Sequence, residues 1–107
     1  MKMNVKIGCI ALLVSAIGTS SVAQTSGATI YKDKCQMCHG ADGGAQTGMG
    51  KVWKISPFKS PALLKASDSS LIAATKKGSG KMPAYSGKLT DAQIQDVIAY
   101  IRTLQKQ

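Results

Sequence analysis

Apolar residues recur at helical spacing in several stretches of the chain, and strand-like alternation appears nowhere. The clearest series is Ile94, Val97, Ile98, Ile101 and Leu104 within LTDAQIQDVIAYIRTLQ, one stripe of a helix. Thr90 with Gln93 has the form of a reciprocal capping box at its start. Asp91 in the first turn, and Arg102 and Lys106 near the end, suit the helix dipole. Leu89 is placed to staple against Ile94 or its neighbours. A middle helix is expected from Ser67 or Asp68 through SDSSLIAATKK, stopped by Gly78, with a shorter turn of helix from Pro61 in SPALLKA. A first helix should begin near Ser26 or Gly27 and run through ATIYKDKCQMC. Residues 40–59 and 78–88 read as loops. The expected fold class is all-α. Helices this short are marginal alone, so the stripe at 94–104 needs a partner. Gly27 is expected to face Tyr100, a glycine allowing the first and last helices to cross closely.

The first residues form a different pattern. Lys2 and Lys6 precede an apolar run from Ile7 to Ile17, and small residues at Ser21 and Ala23 suit a signal peptidase. The run is too short, and too broken by Gly and Ser, for a spanning helix of about 20 apolar residues. Cys9 follows Lys6 with no apolar stretch before it, which argues against a lipid-modified cysteine. Residues 1–23 are therefore expected to be a cleaved signal peptide. Residues 24–107 should form one exported domain, in the periplasm, with no retained anchor. A domain this small buries a limited core and often needs a staple or a cofactor.

The chain carries a net charge of +9 and a pI near 9.7. Export and the lack of a recognition motif argue against nucleic acid as the reason. The chemistry is concentrated in KDKCQMCHG, where Cys35, Cys38 and the chain's single histidine, His39, crowd together. A disulfide between Cys35 and Cys38 would close a tiny loop and stabilise little. Zinc wants four ligands, and no second cluster exists to complete the set. An iron–sulfur cluster lacks cysteines, and a thioredoxin-like pair lacks a preceding strand.

Cys-x-x-Cys-His is the attachment motif of haem c. The cysteines stand three apart, on one side of a helical turn, so each thiol can form a thioether to one vinyl group of the ring. His39 follows directly and can present its imidazole to the iron. Among candidates for a sixth ligand, Met37 lies inside the attachment loop, and Met49 lies soon after His39 in GADGGAQTGMGK. Met82 in KGSGKMPAYSGK is preferred: Pro83 biases it toward an extended backbone, and Gly78 and Gly80 let the chain bend close to the ring. Met49, or an open site, remains the alternative.

The segments GATIYKDKCQMCHGADG, GSGKMPAY and LTDAQIQDVIAYIRTL together resemble the small class I cytochromes c of bacteria, from about Gly27 to Leu104. The resemblance implies a compact helical domain wrapped around one covalent haem c, bound through Cys35 and Cys38. It implies His39 and Met82 as axial ligands, and single-electron shuttling between larger redox proteins. Many relatives have a proline shortly after the proximal histidine, whose carbonyl fixes the imidazole; here positions 48–51 read GMGK, so the partner of His39 Nδ1 is left unnamed. Trp53 either donates to a haem propionate, as in some relatives, or packs against the ring edge.

The expected function is a soluble, non-enzymatic, monomeric single-electron carrier. With His39 spent on iron, the chain contains no glutamate and only scattered aspartates to handle protons. The alternative is a gas or ligand sensor, or a peroxidase-like enzyme with a labile distal site. Lys51, Lys54, Lys76, Lys77, Lys81 and Lys88 are expected near the haem crevice, where they could steer docking onto an acidic redox partner.

Overall fold

The computed structural model describes residues 26–107, so the expected leader and its cleavage point lie outside the described residues. The helices are α1 (Gly27–Lys34), α2 (Gln36–His39), α3 (Gly48–Val52), α4 (Pro61–Lys65), α5 (Asp68–Lys77) and α6 (Asp91–Gln105). Among the described residues there is no strand, only isolated bridges pairing Ser79 with Met82 and Ser86 with Leu89. The all-α expectation holds.

Helix α6 is the spine of the core. Its capping box is complete: Gln93 N–H donates to Thr90 Oγ1 at 3.1 Å, and Thr90 N–H donates to Gln93 Oε1 at 2.8 Å. The whole stripe Ile94, Val97, Ile98, Ile101 and Leu104 is buried. Ile30, Tyr31, Phe58 and Tyr85 join it in one apolar cluster, with Leu89 packed against the edge. Arg102 then ties α6 to the α4–α5 junction, donating through Nε to Asp68 at 2.8 Å and through an Nη to the Ala66 carbonyl at 2.5 Å.

Two expectations need correction, and a third gains detail. The first helix is not continuous: it breaks at Cys35, whose φ of −117° separates α1 from α2. The segment 40–59 is not all loop, because Thr47 caps the short helix α3 by accepting from Gly50 N–H at 2.8 Å. Gly27 does permit a close crossing of α1 over α6, but against backbone. A Cβ there would lie 2.1 Å from the Asp96 carbonyl oxygen and 3.2 Å from Val97 N. Tyr100, a turn further on, meets Tyr31, with ring centroids 5.2 Å apart.

Candidate cofactor site

The break at Cys35 re-aims the chain, and α2 is then held from several sides. Cys38 N–H and His39 N–H both donate to the Cys35 carbonyl, at 3.2 and 2.9 Å. Gly40, at φ 84°, ends the turn in a conformation that suits glycine, and its carbonyl accepts from the Tyr31 hydroxyl at 2.5 Å. Thr47 donates to the Cys38 carbonyl at 2.7 Å while its oxygen caps α3. Gly50 makes this packing possible, since a Cβ there would lie 2.2 Å from the Ala45 carbonyl oxygen and 2.9 Å from that of Cys38.

Cys35 and Cys38 are free thiols. Burial, helped by the neighbouring Cys38, pushes the Cys35 thiol up to about 11. Burial lowers the pKa of His39, favouring the neutral imidazole that binds metals. The His39 ring stacks on Phe58, centroids 4.7 Å apart and planes 17° from parallel. Its Nδ1 is buried with no hydrogen-bond partner among the described residues, leaving Nε2 as the nitrogen available to the cavity that His39 lines.

Met82 is positioned by the loop after α5. Ser79 and Met82 exchange backbone hydrogen bonds at 3.1 and 2.9 Å. Gly78, at φ 71°, admits the returning chain: a Cβ would meet the Met82 carbonyl oxygen at 2.6 Å and Ala84 N at 2.7 Å. Tyr85 anchors the far end of the loop, donating through its backbone N–H to the Thr75 carbonyl and through its hydroxyl to that of Lys34, both at 3.1 Å. The loop bearing Met82 is thereby tied to the residue just before Cys35.

These elements enclose one cavity of about 550 Å³, lined by Cys35, Cys38, His39, Trp53, Ile55, Met82, Pro83 and Tyr85, with Lys34, Lys54 and Lys81 among the other wall residues. All five candidate site residues meet there. Met49 does not line it and instead places its sulfur 3.7 Å from that of Cys38. Trp53 is 39% exposed at the rim, with Lys81 Nζ 5.9 Å from its ring centroid. Of the lysines expected at the crevice, only Lys54 and Lys81 form its wall. Lys34 was not foreseen, and Lys76 pairs with Asp91 at 3.0 Å. Sequence reasoning also missed Phe58 and Tyr85. Tyr85 had a signal, standing close after Met82; Phe58 had only its isolation as the single phenylalanine.

The cavity fits a porphyrin carried by this chain. Its size is that of a cofactor pocket, its wall is largely apolar, and it presents two free thiols beside a neutral imidazole. Among the described residues no three His, Cys, Asp or Glu side chains form a metal-binding group of their own, as the zinc reading would need. The family described as "Cytochrome C oxidase, cbb3-type, subunit III" matches residues 22–101. The chain belongs to the cytochrome c family. Cytochrome c6 of Thermosynechococcus vestitus is 36% identical over 93 residues, covering 86% of this chain and 80% of that protein. The cbb3-type cytochrome c oxidase subunit CcoP of Azospirillum brasilense is 28% identical over 88 residues, covering 80% of this chain but 30% of that larger protein. The solved structure of the KustC0563 c-type cytochrome aligns with a TM-score of 0.68 and 26% identity, covering 75% of this chain and 98% of that one. As a cytochrome c this chain takes covalent haem c, and Cys35 and Cys38 are its attachment residues.

Proposed function

We propose that this cytochrome c is an exported electron carrier, holding its haem iron between His39 and Met82 and exchanging single electrons with larger redox proteins. Bound haem supplies the one-electron couple. The chain's part is to fix the ligands, exclude water and present a docking face. The observation that carries the reading is the shared cavity: Cys35, Cys38, His39 and Met82 line it together, and Met49 does not. A thioether ligand and burial both disfavour the extra charge of ferric iron, which points to a moderate to high potential. Among the described residues no Asp or Glu lines the wall, which favours a carrier over a peroxidase that moves protons through a carboxylate. No helix among the described residues is long and apolar enough to cross a membrane. The basic wall residues Lys34, Lys54 and Lys81 fit an acidic partner surface.

The test compares Met82→Ala with Met49→Ala. Loss of the thioether at Met82 should abolish the weak far-red charge-transfer band of the ferric form, open the iron to cyanide and lower the midpoint potential. Met49→Ala should leave the band and the midpoint in place. The reverse result would move the distal ligand to Met49. Free binding of cyanide by the unmutated protein, with no far-red band, would replace the carrier reading by a sensor or peroxidase with an open site.

A further inference from the structure

A histidine bound to a metal ordinarily donates its other ring N–H to a carboxylate, a carbonyl or water, which fixes the ring and raises its basicity. Here Nδ1 of His39 is buried, and no protein group among the described residues accepts from it. What meets the imidazole instead is the face of Phe58, at 4.7 Å and nearly parallel. Phe58 is itself held firmly. Its backbone N–H donates to the Gly43 carbonyl at 3.0 Å, and its carbonyl accepts from Gln105 Nε2 of α6 at 2.8 Å. Its ring lies against Gly43, where a Cβ would come within 2.5 Å of Phe58 Cδ2. Tyr31 bounds it as well, with centroids 6.3 Å apart.

We infer that Phe58 is a positioning residue for the proximal imidazole, setting its plane by aromatic stacking while the Nδ1 proton goes without a protein acceptor among the described residues. The inference rests on the assignment of His39 as an iron ligand. Its chemical consequence follows from the missing acceptor. An imidazole whose N–H is not pulled by an acceptor donates less to iron, so the ferric state is less stabilised and the potential rises. The stack replaces the orienting role of a hydrogen bond without its electronic effect.

The chain's single histidine makes a direct test possible. Holoprotein labelled with ¹⁵N-histidine and reduced to the diamagnetic ferrous form should give one ring N–H signal in the NMR spectrum. It should lie upfield of ring N–H groups bonded to carbonyls and show no coupling across a hydrogen bond. Phe58→Leu, or the more volume-conserving Phe58→Met if the leucine variant does not fold, should shift that signal and lower the midpoint potential as water reaches Nδ1. Phe58→Tyr, which keeps the ring face, should retain both wild-type values. A coupling from Nδ1–H to a carbonyl carbon in the wild type would overturn the inference. So would unchanged signal and midpoint in the non-aromatic variant. The carbon-bound protons of His39 report separately on ligation: without a large haem ring-current shift, the ligand assignment itself fails.

Discussion

A methyl group on residue 27 would sit 2.1 Å from the Asp96 carbonyl oxygen, and backbone cannot swing aside as a side chain can. Gly27→Ala should therefore force α1 away from α6. Overpacking of this kind costs about 1–3 kcal/mol, against a gain in helix propensity of at most about 1 kcal/mol. The expected result is a fall of several degrees in the thermal midpoint of the holoprotein, since about 1 kcal/mol moves a domain of this size by roughly 4–8 °C. Gly48→Ala is the control, because nothing lies within 4 Å of a Cβ there; its midpoint should hold or rise. Equal midpoints for the two variants would mean that the crossing tolerates a side chain. The need for glycine at this crossing was legible in the sequence, but the Asp96 and Val97 backbone it lies against was not. A glycine signals close approach, whereas the register of α1 on α6 is set by how Ile30 and Tyr31 seat among the α6 residues. Phe58 was illegible for a related reason: ISPFKS has no periodicity, and the stack on His39 depends on Gly43, which is distant in sequence and adjacent in space.

At the scale of elements, α6 and α3 mark the two extremes. Everything that makes α6 is local: a capping box, an acidic first turn and a stripe at helical spacing. Its start and its buried face could be read directly. Helix α3, GMGKV, contains two glycines and no stripe, and intrinsic propensity argues against it. It forms because Thr47 caps it and because Gly50 lets it close on the Ala45 and Cys38 carbonyls, contacts that exist only once the attachment turn has folded. The break at Cys35 was hidden in the same way, since the apolar pattern runs on without interruption. Thr47 therefore couples two elements, donating to the Cys38 carbonyl and accepting from Gly50 N–H. Thr47→Ala removes the cap, worth about 0.5–2 kcal/mol, and strips the donor from a part-buried carbonyl, costing about 1–3 kcal/mol more. Denaturant unfolding of the holoprotein should show a loss within that combined range, and Thr47→Ser should recover most of it. A serine variant as weak as the alanine variant would show that the methyl group, and not the hydroxyl, holds α3 in place.

For the whole molecule the deciding property is the distribution of charge. Asp68 and Asp91 are paired with Arg102 and Lys76, and among the described residues no Asp or Glu joins Lys34, Lys54 and Lys81 in the cavity wall. The protein's charged groups at that wall are thus all basic, while Lys106, the C-cap residue of α6, is not one of the wall residues. A local field of this kind raises the encounter rate with an oppositely charged partner by about 10- to 10³-fold at low salt. It fades as the screening length shrinks to about 8 Å near physiological ionic strength. The bimolecular rate with an acidic redox protein should accordingly fall as salt is added. Lys81→Glu should slow it several-fold more than Lys106→Glu at low salt, with the gap closing at high salt. Both substitutions change the net charge equally, so any difference between them reports position alone. Stopped-flow reduction or oxidation across a salt series measures this. Two variants with matching rates at every ionic strength would leave only the overall charge at work, and the cavity mouth would no longer qualify as the docking face.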